Sequence, residues 1–379
     1  MKKILFFPLL DSLPSGHHQV ANAVTEYMNK RSDVIVCKKI DVMSSWNSVI
    51  ESLVTKTYLG WIQKNPKSYA WVYRKLAYKS KAERSYKHYE LLFLKEMEKI
   101  IAEEKPDLII CTHAFPSYLV SKLKKSGACS IPLVNVYTDF FINDVWGREC
   151  VDYHFVPDIS LKFHLIKKYG IGGKNILVTG IPIDESFYST SLMKKADREL
   201  TILLSGGSAG LGKIREIIDN FNRVKGVQLY VLCGNNKQLY KEIFRRNEGN
   251  IHPLPYINSR RKMNELYDVA DAIITKPGGV TISEAIKKKV PIFVHSALPG
   301  QEIINLKQLK EQGLVFTIEE GLDVAKQIKN VLRNEAKMEE NQQSLERFSN
   351  AQDFREPEEI FHFINSVLDP SYVKVQQTM

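Results

Sequence analysis

Two glycine-bearing segments and a histidine pair carry most of the chemistry that this sequence can do. The first segment reads Lys276-Pro277-Gly278-Gly279-Val280-Thr281-Ile282-Ser283-Glu284-Ala285 and follows the apolar run at 272–275. Paired glycines let a backbone approach a ligand closely, and a helix opening there offers unpaired N–H groups and a positive dipole end to phosphate. Thr281 and Ser283 add hydroxyls. Glu284, one turn in, presents a carboxylate able to accept two ribose hydroxyls. An ordinary strand-to-helix turn with its capping residues is the plain alternative. The second segment, Ser205-Gly206-Gly207-Ser208-Ala209-Gly210-Leu211-Gly212-Lys213, also follows an apolar run. As a nicotinamide fingerprint it lacks the acid at the end of the next strand, which ends Leu232-Cys233-Gly234. As a P-loop it has Ile214 where the magnesium-binding Ser or Thr belongs. A phosphate-facing loop opposite the Gly278-Gly279 turn, with Gly207 and Ser208 as contacts, uses these residues better. Pro299-Gly300-Gln301-Glu302, with Asn305 a turn further on, sets an amide and a carboxylate where sugar hydroxyls would be bound. A helix N-terminal region explains the same residues without a ligand.

In the first half, Ser15-Gly16-His17-His18-Gln19 follows the first apolar run. A neutral imidazole at His17 can take a proton from a hydroxyl near pH 7, or the pair is polar punctuation in a loop. Thr138-Asp139-Phe140 follows the run at 133–137. Asp139 can orient His17, contact acceptor hydroxyls or cap a helix. The five cysteines are scattered without any CxxC, which fits neither a disulfide framework nor a zinc site and reads as a reducing cytoplasm. No metal site is expected.

These residues need elements to hold them. Candidate strands lie at 3–9, 34–37, 108–112, 133–137, 153–156 and 176–179, then at 201–205, 228–232, 272–275 and 291–295. Their Ile, Leu and Val runs lack alternation, as in parallel strands covered on both faces. Amphipathic stretches such as 21–30 and 91–104 supply the crossovers, so the chain reads as α/β. A polar break at 183–198 separates two doubly wound, Rossmann-like parallel-sheet domains that face each other across a cleft. The apolar residues of 355–368 recur at helical spacing. The N-terminal run reads as a first buried strand rather than a signal peptide, since Asp11 and Pro14 follow and no cleavage pattern appears. No stretch is apolar for long enough to span a bilayer.

The net charge is +10, and residues 1–190 hold 26 basic against 19 acidic residues, so the first half carries most of the excess. Within 46–89, nine Lys or Arg between Lys56 and Lys87 face the single acid Glu83. Tyr58, Trp61, Tyr69, Trp71, Tyr73, Tyr78 and Tyr86 are interleaved with them. Such a mixture suits an anionic membrane surface, and equally single-stranded nucleic acid. A solvated helical insertion whose aromatics pack on the domain is the third reading.

Together these pieces resemble family 28 glycosyltransferases of the GT-B fold, in particular the diacylglycerol glucosyltransferase and monogalactosyldiacylglycerol synthase group. The likeness rests on GHHQVA (16–21), VYTDFF (136–141), VTGIPI (178–183), the GGSAG loop, TKPGGVTISEA (275–285) and PGQE (299–302). The resemblance implies an inverting, metal-independent transfer of a hexose from a UDP-sugar to a lipid acceptor such as diacylglycerol, at the cytoplasmic membrane face. It needs no cofactor beyond the donor substrate, and no nucleic-acid partner is expected. His17 is implied as base and Asp139 as the acid of the TDF segment. Gly278 and Gly279 are implied at the diphosphate, Glu284 at the ribose, Gln301 and Glu302 at the sugar hydroxyls, and Tyr256 at the uracil. Lys276, Thr281, Pro299, Gly300 and Asn305 are expected to complete the donor site around them. The expected division is an acceptor and membrane domain at 1–190, a UDP-sugar domain at 191–350, and a C-terminal helix and tail at 351–379 returning to the first domain. The family's first loop usually reads GxGH, whereas this chain has Pro14 in place of its first glycine, so its acceptor is expected to differ in detail. A UDP-sugar epimerase or hydrolase of the same fold, and a non-catalytic UDP-sugar sensor, are the competing functions.

Overall fold

The computed structural model describes residues 1–10, 15–75, 87–189, 198–206 and 214–369. The chain divides into two compact units, Met1–Glu185 together with the C-terminal segment from Ala351, and Ser186–Asn350. Pro14, Gly207 and Ser208 lie outside the described residues, as do Tyr78, Glu83 and Tyr86 and the side chain of Tyr58.

The first unit is built on β1 (Lys2–Phe7), β2 (Ile35–Lys39), β3 (Leu108–Cys111), β4 (Leu133–Val136), β5 (Tyr153–Val156) and β6 (Ile176–Val178). All pair in parallel, in the order β2-β1-β3-β4-β5-β6. Strands β3 and β4 are buried along their whole length, which is why they read as unbroken apolar runs. At the edge, β2 ends in the exposed Lys38 and Lys39, charges that discourage further strand pairing. From β1 the chain passes through α1 (Gly16–Asn29) to β2 and returns on the other side of β1 as β3. The winding therefore reverses between β1 and β3. Loops diverge at the carboxyl ends of such a pair, leaving room for a ligand.

The return path holds α2 (Val42–Lys64), α3 (Pro66–Tyr73) and α4 (Lys87–Glu104). Helix α5 (Ala114–Lys125) links β3 to β4, and α6 (Ile159–Tyr169) links β5 to β6. After the second unit the chain comes back as α14 (Pro357–Leu368), which packs on α1. Its Phe363 ring lies 4.9 Å from that of Tyr153 and 5.6 Å from that of Phe155. Just before it, the Asp353 carboxylate accepts from the Val178 amide at 2.8 Å and pairs with Lys162 at 3.2 Å.

The second unit repeats the plan with β7 (Leu200–Ser205), β8 (Val227–Leu232), β9 (Ile251–Leu254), β10 (Ala272–Thr275), β11 (Ile292–Val294) and β12 (Phe316–Thr317). The order is β12-β11-β10-β7-β8-β9, again parallel, with the reversal between β7 and β10. Both glycine segments thus leave the two strands that flank the reversal. The sequence pattern did not predict β9 and β12. The first contains Pro253, which an edge strand tolerates, and the second is two residues long. Helices α7 (Ile214–Phe221), α8 (Lys237–Arg246), α9 (Arg260–Val269), α10 (Gly279–Lys287), α11 (Gln301–Glu311), α12 (Val324–Leu332) and α13 (Glu335–Asn350) complete the unit. No helix among the described residues is long and apolar enough to cross a membrane.

Candidate functional site

At the reversal of the first sheet, His17 sits in the first turn of α1 rather than in a loop. The helix begins at Gly16, after Ser15 in the extended conformation of an N-cap (φ −117°, ψ 169°). Buried Val20, Ala21, Val24, Tyr27 and Met28 anchor this helix, and its polar first turn projects at the sheet edge. The two histidines divide their work. His18 Nε2 lies 3.1 Å from the Leu9 carbonyl and holds the chain leaving β1. His17 Nδ1 lies 3.0 Å from the Thr112 carbonyl and 2.8 Å from Thr138 Oγ1. A carbonyl can only accept, so these partners assign the proton to Nδ1 and leave the lone pair on Nε2. Burial pushes the His17 imidazole down to about 4, with His18 lowering it further and the Thr112 hydrogen bond opposing. Near neutral pH His17 is an uncharged proton acceptor with its ring locked.

His113, the residue after Thr112, stands beside it with ring centroids 4.6 Å apart, edge to face. It is the N-cap of α5, and its Nδ1 accepts from the Phe115 amide at 3.2 Å. Burial, with His17 and His18 nearby, holds it well below the ordinary histidine range. Asp139 is half-buried just past β4, on the same sheet edge. The Thr112 carbonyl and the Thr138 hydroxyl meet the His17 ring at Nδ1. The loop bearing Thr138 and Asp139 is tied down by Asn135, whose Nδ2 donates to the Gly147 carbonyl at 2.8 Å and whose Oδ1 accepts from Ser117 at 2.8 Å. A Cβ at Gly147 would collide with the Ser117 backbone, so this close approach requires glycine.

At the reversal of the second sheet, Gly278 is the N-cap of α10 and no side chain caps that end. The Gly278 carbonyl accepts from the Ile282 amide, so the amides of Gly279, Val280 and Thr281 have no intrahelical acceptor. Gly278 has φ −89° and ψ 147°, a conformation open to any residue, and a Cβ there would meet no atom within 4 Å. Neither the backbone nor a neighbour requires glycine, so what its absent side chain leaves is space in front of the helix. Gly300, the N-cap of α11, is glycine for another reason: φ 108° with ψ −120° is a region other residues hardly enter.

Lys276 is almost fully buried, with Nζ 3.5 Å from Glu302 Oε1. The other Glu302 oxygen accepts from the Leu298 amide at 2.6 Å. The structure thus brings the 276–285 segment and the PGQE turn together through this pair. Glu302, expected at the sugar, first serves to hold that turn against Lys276. Half-buried Gln301 has no side-chain partner among the described residues, and Asn305 is buried a turn further on. Glu284 is buried, its Oε2 accepting from the Tyr267 hydroxyl at 3.2 Å and its Oε1 lying 3.8 Å from the Arg260 guanidinium. Tyr256 is exposed at the end of β9, with β7 and β8 between it and β10, so the sheet does not set it beside the Gly278 turn.

Sequence reasoning missed four residues here. Thr138 was passed over for its charged neighbour. His113 carried a usable signal, an imidazole directly after a strand at the same edge. Tyr267 and Arg260 lie on α9, distant in sequence from Glu284, and carried none.

Residues 46–73 form α2 and α3, with the helix broken at Asn47. Their aromatics divide: Tyr69 is buried and Trp46 lies 5.3 Å from the Phe93 ring, whereas Trp71 is exposed beneath the Lys75 ammonium at 4.1 Å. Exposed Val49, Leu53, Leu91 and Leu92 and the cations Lys56, Lys64, Lys67 and Arg74 belong to the same helices and their flanks.

Comparison with known proteins bears on both halves of the chain. Residues 17–183 match the monogalactosyldiacylglycerol (MGDG) synthase family, and residues 201–358 match the glycosyltransferase family 28 C-terminal domain. The uncharacterized glycosyltransferase YkoN of Bacillus subtilis is 42% identical over 321 residues, covering 83% of this chain and 84% of its own length. The processive diacylglycerol beta-glucosyltransferase of Bacillus cytotoxicus is 28% identical over 376 residues, covering 95% of this chain and 92% of that protein. Among solved structures, the glycosyltransferase of kitacinnamycin superposes with a TM-score of 0.63 at 13% identity, over 97% of this chain and 99% of its own. The S. aureus MnaA–UDP co-structure gives 0.59 at 15% identity, over 97% of each chain. At such identities the structural likeness is one of fold, and it agrees with the two parallel sheets described above. The chain belongs to glycosyltransferase family 28 and is a hexosyltransferase of the GT-B fold.

Proposed function

We propose that this enzyme moves a hexose from a UDP-sugar to the hydroxyl of a lipid such as diacylglycerol, with inversion and without a metal, at the cytoplasmic face of the membrane. The observation that carries the reading is the locked, neutral His17, whose Nε2 lone pair has no hydrogen-bond partner among the described residues. The acceptor oxygen bonds to the anomeric carbon from the face opposite UDP. Its proton passes to His17 Nε2, and the electron pair of the breaking bond leaves with the diphosphate. The second unit suits that leaving group. The open amides of α10 and the Lys276 ammonium supply the positive potential that a metal ion would otherwise provide. Glu284, held by Tyr267, suits the ribose hydroxyls.

The lipid acceptor is supported by the diacylglycerol-acting relative and by the MGDG synthase match. The exposed tryptophan, leucines and cations of α2–α4 suit an anionic membrane surface, where rings sit among headgroups and cations meet phosphates. The test offers UDP-glucose, UDP-galactose and UDP-N-acetylglucosamine separately with diacylglycerol liposomes and a metal chelator. One donor is expected to release UDP and yield a glycolipid whose anomeric proton coupling shows the β configuration. An α-linked product, or activity abolished by the chelator, contradicts the reading.

A further inference from the structure

The two imidazoles at the first sheet's edge are locked in opposite tautomers. His17 gives its Nδ1 proton to the Thr112 carbonyl and shares it with the Thr138 hydroxyl, which leaves Nε2 an acceptor. His113 receives the Phe115 amide at Nδ1, which leaves Nε2–H a donor. Both locks are backbone groups, the Thr112 carbonyl just past β3 and the Phe115 amide in the first turn of α5, so neither ring can exchange its role without breaking a hydrogen bond to the main chain. The two rings stand edge to face with centroids 4.6 Å apart, which sets one acceptor imidazole and one donor imidazole side by side at the same sheet edge. Burial keeps both rings uncharged near neutral pH, so the pair offers hydrogen bonds without net charge.

We propose that His113 is a specificity-determining residue for the acceptor: its Nε2–H donates to a second oxygen, one carbon away from the hydroxyl whose proton goes to His17. The inference rests on the acceptor reading given above and narrows it. The favoured acceptor has vicinal oxygens, as the free hydroxyl and adjacent ester oxygen of a 1,2-diacylglycerol do. A lone alcohol satisfies His17 and leaves the His113 donor without its partner.

Two substitutions separate this role from helix capping. His113→Asn keeps an acceptor for the Phe115 amide, and asparagine is a preferred N-cap, but its side chain is too short to carry the outer donor. His113→Gln reaches the outer position with its amide and gives up the cap. The assay compares dioctanoylglycerol with 1-octanol in mixed micelles, reading UDP release, with thermal melting of each variant alongside. His113→Asn is expected to melt like wild type and to lower the ratio of dioctanoylglycerol to octanol turnover at least ten-fold, about the effect of stranding one buried hydrogen-bond partner. His113→Gln is expected to restore part of that ratio while melting lower. An unchanged ratio in His113→Asn overturns the proposal.

Histidine 15N spectra supply a readout that does not depend on turnover. They should show His113 protonated at Nε2, with that resonance moving when dioctanoylglycerol is added to wild type and staying fixed when octanol is added. Identical responses to both additives also overturn the proposal. If wild type turns over neither acceptor but its His113 resonance still discriminates between them, the lipid-transfer reading fails and the recognition role of His113 stands.

Discussion

Replacing Gly278 with alanine separates a ligand site from an ordinary helix start. In the unliganded protein the change should be nearly silent. Gly278 already has a conformation that alanine adopts, and the new methyl group meets nothing within 4 Å. Restricting the unfolded chain stabilises by about 0.4–1 kcal/mol, and the poorer N-cap costs about the same. The sum is close to zero, a melting shift within about 2 °C for a protein of this size. With a nucleotide diphosphate the balance differs, because the methyl group occupies the space in front of the α10 amides. Losing one hydrogen bond to a charged oxygen costs roughly 1.5–3 kcal/mol, about 10- to 100-fold in UDP affinity. Calorimetry of UDP binding together with thermal melting reads both quantities. Gly300→Ala is the control, since its φ of 108° makes alanine strained there by roughly 1–3 kcal/mol. It should lower the melting temperature by several degrees. If Gly278→Ala binds UDP like wild type, or melts as poorly as Gly300→Ala, the assignment of the diphosphate to this turn is refuted.

Three other outcomes follow from the same geometry. His17 is pushed down to about 4, so its base form persists through the ordinary histidine range. The pH profile of kcat/KM should therefore be flat from about pH 8 to 5 and fall only as pH drops further, and an inflection near 6.5 would show that another group governs the rate. Lys276→Met removes the buried ammonium paired with Glu302, two residues before the α10 N-cap, and should lower kcat by about 10²–10³-fold, the range for losing one well-placed donor to a developing anion. A turnover within a few-fold of wild type would remove Lys276 from the leaving-group site. Sedimentation with vesicles should show binding to phosphatidylglycerol and little to phosphatidylcholine, weakened by salt and by Trp71→Ser combined with Lys75→Glu. Equal binding to both lipids would contradict an anionic surface contact.

The central strands were legible because both faces of a parallel sheet are covered, so their apolar runs have no competing pattern. The edges were not, since β9 carries a proline and β12 is only two residues long. The start of α1 was read late because its first turn, with His17 and His18, has no apolar periodicity and is held by the sheet edge instead. Within the site, sequence reading favoured charged residues. It singled out Asp139, open to orienting His17, contacting the acceptor or capping a helix, and gave no role to the neighbouring Thr138, whose hydroxyl meets His17 Nδ1 together with the Thr112 carbonyl. It set Glu302 at the sugar and gave no sign of that carboxylate's contacts with Lys276 and the Leu298 amide. Partners supplied by another helix, such as Tyr267 for Glu284, become visible only when the sheet order is known.

The most direct test of the base assignment is a comparison of His17→Ala with wild type on the preferred UDP-hexose and diacylglycerol, with UDP affinity measured on the same samples. General-base catalysis contributes about 10²–10⁴-fold, so kcat should fall by that factor while UDP binding and melting temperature hold. Turnover within a few-fold of wild type, with the protein folded and UDP bound, would show that the proton leaves the acceptor by another route.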